Sequence, residues 1–304
     1  MTARDIDVLG IGGIDRDLVL KVPCVPGHDE KVRGEFVGWF SGGPVANMAC
    51  AASRLGLAVH AVCQVGDDGG EQFLADYRQF GVDTDLCRVL PGAVTPFTVI
   101  LIDPTGEKVI VYSSVTPITY EWDRLARAMA RTKVVFLLPH TPAFSKLAAL
   151  AHSQGAKVMT DIEERGDRDA TGLPALLQEV DIASFNQFGV RSWTGQEPSR
   201  ELAHSLLEHG PETILFTLGA HGAIGADARH ALACPGIAVQ VIDSTGAGDT
   251  FHGAFLASYL QGHDLRASLP FANAAGALSV TAMGPRGLLP TLQEVRDLQA
   301  ETSG

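Results

Sequence analysis

The sequence predicts an α/β fold, a mainly parallel central sheet with helices on both faces, on two observations. The first is alternation. From residue 134 onward the β-rich runs VVFLLP, KVMTDI, DIASFN and TILFTLG are separated by segments of helical character near 143–154, 172–179, 187–194 and 199–209. Strands that each need a helix-length crossover to reach the next pair in parallel. The second is a pair of glycine turns, SGGPVAN (41–47) and STGAGD (244–249), each leading into a small-residue apolar stretch of helical spacing. A turn with so little side chain brings backbone close to another group. The 304 residues, 46% hydrophobic and 19% charged, suffice to bury a sizeable core.

The elements follow in order. IDVLGIGGID (6–15) reads as a short buried strand ending in glycines, and 18–40 lacks helical period and reads as short strands. Residues 44–56 form a tightly packed helix closed by Gly56; HAVCQVG (60–66) is a strand, and 68–81 a helix stopped by Gly81. PFTVILI and EKVIVY make a hairpin around DPTG (103–106), where Pro104 presets the turn and Gly106 closes it. After the alternating region come a β pair, GAIGAD and HALACPG, a strand at VQVID (239–243), and three helical stretches near 249–261, 264–282 and 291–300. No repeat or linker interrupts the chain, so 1–304 is expected to be one domain. Its excursions at about 16–43 and 94–115 are expected to form a small β lid.

Composition excludes several classes. A net charge of −12 argues against a nucleic-acid partner. Cys24, Cys50, Cys63, Cys87 and Cys234 are scattered, odd in number and without C-x-x-C or zinc spacing, as expected of reduced thiols in a cytoplasmic protein. MTARDIDVLG lacks the pattern of a secretory signal, and VVFLL stops at Pro139, too short to span a membrane. There is no G-x-x-x-x-G-K-S/T phosphate loop, and LGIGGID lacks the full dinucleotide-binding spacing.

The turn at 243–249 carries the chemistry. A glycine turn at a helix N-terminus offers unpaired N–H groups and the positive end of the helix dipole, so it attracts anions, phosphates above all. Asp249 sits in the first helical turn. An acid there is favourable by itself; next to a bound phosphoryl group it is also placed to take a proton from an attacking hydroxyl.

DSTGAGDTF (243–251) and SGGPVANMACAASRLG (41–56) resemble the two signatures of the ribokinase-like (PfkB) carbohydrate kinases, in the right order and about 200 residues apart. The resemblance spans nearly the whole chain. It implies a three-layer α/β/α sandwich with a β lid, and Mg²⁺-ATP-dependent phosphorylation of a sugar hydroxyl. It assigns Asp249 as the base and Gly246, Ala247 and Gly248 as the anion hole. Asp243 and the backbone of Thr245 match positions that in many members help hold a monovalent cation, K⁺ among them. Asp15 and Asp17 in GIDRD, with Gly42, Gly43 and Asn47, match sugar-binding positions, and His140 follows a strand where several members place a sugar contact.

Thr217, Gly219 and Gly222 match the loop along the nucleotide phosphates, Asn273 and Gly276 the helix beside adenine, and Asn186 the start of an Asn-x-x-Glu motif. Gly219 and Gly222 also read as turn glycines, Asn47 as a helix-face hydrogen bonder, and Gly276 as a close-packing residue.

The sequence departs from the pattern at two places. Gly189 stands where the motif has its Glu, leaving Asp161 or Glu163 as the replacement carboxylate, and Pro44 stands where a lysine often follows Gly-Gly. SGGPVAN, SFNQFG and GAGDTFHGA look more like the ketohexokinase and sulfofructose kinase branch, which points to a ketose acceptor. Lys31, with Arg33 close by, matches a lysine that the latter enzyme uses near a sulfonate. The resemblance further implies a homodimer through the lids. Two alternatives stay open: a nucleoside kinase, for which Trp39, Phe40 and Phe97 supply aromatic surface, and a binding protein without catalysis, suggested by the missing Glu.

Overall fold

The computed structural model describes residues 4–113, 118–163 and 172–302. An eight-stranded sheet runs in the order Ala231–Cys234, Ala223–Asp227, Thr213–Thr217, Ile182–Asn186, Lys157–Ile162, Thr132–Leu137, Ile6–Ile11, Val59–Val62. The six strands from Thr213–Thr217 to Val59–Val62 pair in parallel, and the other two join through antiparallel pairings. Val8 lies beside Val59 on one side and Val134 on the other. Strands covered on both faces are continuously apolar, which is why VVFLL and IDVLGI carry so few polar residues.

Two core layers flank this sheet. Helices Pro44–Arg54, Ala247–Leu260 and Leu265–Ser279 bury Met48, Phe251, Phe255 and Leu269 against one face. Helices Trp122–Met129, Phe144–Ser153, Leu173–Leu177 and Arg200–Leu206 bury Leu125, Leu147, Leu177 and Leu202 against the other, around an edge-to-face pair of Phe185 and Phe216. Gln187–Thr194 caps the C-terminal end of its strand. The architecture is the three-layer α/β/α sandwich expected.

A second, four-stranded sheet has the order Glu35–Gly42, Asp15–Lys21, Phe97–Ile102, Lys108–Ser113. It is built from the two early β segments, with Phe36, Trp39, Ile110 and Val111 left exposed. Among the described residues no helix is long and apolar enough to cross a membrane.

Two elements differ from expectation. HAVCQVG breaks at Cys63 into Val59–Val62, in the large sheet, and Gln64–Gly66, which pairs separately with Arg88–Leu90. VQVID is no strand: residues 235–242 are irregular, and Ile242 and Asp243 give their N–H groups to Val280 O. Its apolar residues serve another purpose, since Val239 and Val241 line a cleft.

Candidate active site

The helix Ala247–Leu260 starts at Gly246, whose φ of 80° is left-handed. A methyl group there would also come within 2.7 Å of Pro285 O and 2.9 Å of its Cα, so glycine is required twice over. Gly248 differs, because a methyl group on it would meet nothing nearer than His252 Cε1 at 4.0 Å. Packing does not demand that glycine; what its small size leaves is open space over the first-turn N–H groups, which have no intrahelical acceptor.

Close helix packing puts Asn47 beside Asp249. Gly253 lies so near the helix Pro44–Arg54 that a methyl group would stand 2.8 Å from Ala52 N and 2.9 Å from Met48 O. At that approach Asn47 Nδ2 donates to Asp249 Oδ2 at 2.8 Å. The amide cannot turn over, since its Oδ1 accepts from Arg286 Nε at 2.9 Å and a guanidinium only donates. Burial raises the Asp249 carboxyl to about 7, with Asn47 opposing the rise, Glu163 adding to it and Arg286 opposing it. A carboxylate poised near neutrality suits a general base.

Asp15 and Asp17 sit two apart on the strand Asp15–Lys21, so both carboxyls fall on its buried face. Asp15 pairs with Gly42 across the strands. A methyl group at Gly42 would overlap the Asp17 carboxylate, and one at Gly43 would come 2.8 Å from Gly13 O and 3.3 Å from Asp15 Oδ2. Burial, with Asp17 nearby, raises Asp15 to about 7; burial raises Asp17 to about 6 against a hydrogen bond from Thr98. Asp15 Oδ1 is buried and has no hydrogen-bond partner among the described residues. A buried acceptor left unpaired is costly, and a ligand hydroxyl would relieve it. Gly42→Ala is therefore expected to raise KM for the acceptor at least tenfold and leave KM for the nucleotide unchanged, as steady-state kinetics with each substrate varied would show.

A cleft of about 560 Å³ adjoins the turn. It is lined by Thr217, Gly219, Gly222, Asn273 and Gly276, and it shares Ala247 and Gly248 with the helix start. Gly222, at φ 95°, leaves no room for a methyl group beside Cys234 O. Asn273 Nδ2 donates to Pro235 O at 2.9 Å, holding the facing loop, and Gly276 lies close to Ala247 O. Asn273 and Gly276 thus line the cleft and also build its wall. Asn186 is not among the lining residues; its Oδ1 caps the helix Gln187–Thr194 by accepting from Gly189 N at 2.7 Å.

The remaining expected residues are exposed or make other contacts. Lys31 and Arg33 are exposed in the loop before Glu35–Gly42, and His140 is exposed after Thr132–Leu137. Asp161 is buried and well above the usual carboxylate range, from desolvation and then the charges of Glu163 and Asp249. Among the described residues no group of three His, Cys, Asp or Glu side chains could hold a metal ion. Asp243 and Thr245 are met by the ammonium of Lys108, whose Nζ lies 2.8 Å from Asp243 Oδ1 and 2.5 Å from Thr245 Oγ1.

Arg286 escaped the sequence reading. Besides Asn47 it bonds Gly42 O at 3.1 Å and pairs with Asp76, so it ties the strand Glu35–Gly42, the Asn47 helix and the helix Glu71–Gln79 together. Its one signal is an arginine inside a G-P-R-G turn.

The pfkB family carbohydrate kinase model matches residues 5–292. The chain belongs to the pfkB family of carbohydrate kinases. It is 30% identical over 298 residues to the ribokinase of Haemophilus influenzae, covering 93% of this chain and 95% of that one. It is 28% identical over 312 residues to the ATP-dependent ribose-1-phosphate kinase of Halopiger xanaduensis, covering 97% and 99%. The fold matches Arabidopsis thaliana ribokinase, solved with ribose and ATP, at a TM-score of 0.83 and 24% identity over 96% of this chain and 98% of that one. Family members of nearly equal similarity thus differ in acceptor, and the acceptor is best read from the pocket.

Proposed function

We propose that this carbohydrate kinase transfers the γ-phosphoryl group of ATP to a hydroxyl of a neutral sugar of the ribose type. The observation that carries the reading is a set of three buried carboxyl groups around one arginine. Asp15, Asp17 and Asp249 would face the acceptor together, and the cation near all three, Arg286, is already bonded to Asp76, Asn47 and Gly42 O. Such a pocket accepts hydroxyl protons and repels phosphate or sulfonate. With Lys31 exposed in a loop and relatives named ribokinase, the proposed acceptor shifts from a ketose or sulfosugar to a neutral aldopentose.

In this reading ATP lies in the cleft with its phosphates toward Gly248. Asp249 takes the proton of the hydroxyl, Asn47 holds that carboxylate in place, and the first-turn N–H groups stabilise charge on the transferring group. Mg²⁺ supplies charge neutralisation when bound with ATP. Asp161 and Glu163 are the carboxylates near Asp249 that would hold it. The exposed Phe36, Trp39, Ile110 and Val111 also fit a homodimer through the second sheet, which sedimentation velocity would test.

The pH dependence follows in sign. A base raised to about 7 is protonated and idle below that pH, so kcat/KM is expected to fall as pH drops through about 7. A profile flat from pH 5 to 8 would remove Asp249 from the role. The acceptor is tested by ADP release from ATP with ribose, fructose, ribose-1-phosphate, a sulfosugar and adenosine. Ribose or another neutral aldopentose is expected to give the highest kcat/KM. A phosphorylated or sulfonated acceptor, or a nucleoside, in that place would overturn the proposal.

A further inference from the structure

Lys108 reaches the anion-binding turn from the other sheet. It opens the strand Lys108–Ser113, opposite Ile102 in the hairpin, and its ammonium contacts Asp243 and Thr245, 135 residues or more along the chain. Asp243 Oδ1 also accepts from Thr245 N at 3.0 Å and Thr245 Oγ1 at 2.7 Å, and its Oδ2 from Gly284 N at 3.0 Å. Burial works to raise this carboxyl, yet these donors, Lys108 first among them, hold it at about 2. The carboxylate is saturated by an ammonium, two amides and a hydroxyl.

The braced residues flank the chemistry on both sides. Thr245 runs directly into Gly246 and the start of the Asp249 helix. Gly284 leads through Pro285, against which Gly246 packs, to Arg286, which orients Asn47. One positive charge therefore sets the turn that offers N–H groups to phosphate and the loop that orders the base's partner. It comes from the sheet that carries Asp15 and Asp17.

A free monovalent cation at Asp243 and Thr245 does not fit this arrangement, because Asp243 Oδ1, the charged oxygen it would use, already faces an ammonium at 2.8 Å that also reaches Thr245 Oγ1. Two cations sharing one carboxylate oxygen would stand close together and repel strongly when partly buried. We propose that the Lys108 ammonium is the turn's own cation, standing in place of an alkali ion, and that this kinase works without K⁺. A tethered ammonium carries the same charge as K⁺ and loses no translational freedom on reaching its site. The activity arm of the test rests on the kinase reading above; the melting arm does not.

Wild type and Lys108→Met are compared in tetramethylammonium, potassium and ammonium chloride at matched ionic strength, by kcat and by thermal melting. Wild-type kcat and Tm are expected to be the same in all three salts. The variant is expected to lose on the order of 10²-fold in kcat in tetramethylammonium, the scale of a misplaced catalytic turn. It should regain at least tenfold in potassium or ammonium, with a rise in Tm that wild type does not share. Should the Met variant fail to fold, Lys108→Gln, which keeps a hydrogen-bond donor, takes its place. A wild type stimulated several-fold by K⁺ would overturn the proposal. So would a folded variant with full activity, or one indifferent to every monovalent cation in both readouts. A wild type silent in all salts would count against the kinase reading, and the melting comparison would still decide the cation.

Discussion

Asp249→Asn is expected to lower turnover by about 10²–10⁴-fold, the usual contribution of a general base, while the affinity for ATP changes little. The amide is isosteric with the carboxyl and can present its oxygen to Asn47 Nδ2, so the contact with the neighbouring helix survives. What it cannot do is accept a proton. Stability separates this loss from damage to the fold. The folded carboxyl titrates at about 7, above the ordinary value of 3.8, so its ionisation works against folding as pH rises between those values. The variant escapes that penalty and should melt no lower than wild type at pH 8. Thermal melting beside ATP titration and steady-state kinetics would check all three points. Retained turnover, or a melting temperature well below wild type, would contradict the role given to Asp249.

Arg286→Met is expected to damage fold and activity together. The guanidinium is 6% exposed, and Asp76, its partner, 26%. Removing one member of a buried pair costs about 3–5 kcal/mol, and the part exposure of Asp76 places this case near the lower end. For a chain of this size that corresponds to a fall in Tm of roughly 5 °C. Methionine fills much of the volume, so the loss is chiefly electrostatic. The Asn47 amide is also released from its fixed orientation, and kcat should fall with stability. Arg286→Lys keeps the charge but not the fork that reaches Asn47, Gly42 O and Asp76 at once, and should recover stability better than kcat. A melting temperature within a degree or two of wild type for Arg286→Met would show that the network carries little weight.

Local chemistry was legible in the sequence. The glycine turn before Asp249 and the small residues at 41–56 are each defined by a few neighbouring positions, and the two carboxylates at 15 and 17 were marked by the family resemblance. The bond from Asn47 to Asp249 was not among them: the resemblance gave Asn47 as a sugar contact, and the two residues meet across 202 positions. What stayed hidden depends on contacts far apart in the chain. Arg286 meets Asn47 across 239 residues, and Lys108 meets Asp243 across 135. Lys108 stands in no pattern that marks it off from an ordinary surface cation, and Arg286 only in its G-P-R-G turn. VQVID misled for a related reason, since an apolar run lining a ligand cleft has the same composition as a strand.

The central claim is phosphoryl transfer from ATP to a sugar at the Asp249 turn. The most direct measurement follows label from γ-labelled ATP in the presence of ribose, with wild type and Asp249→Asn side by side. Labelled sugar phosphate formed one for one with ADP by wild type, and lost in the variant, is the predicted result. Labelled inorganic phosphate released regardless of sugar, or ATP bound without turnover across neutral sugars, would contradict it.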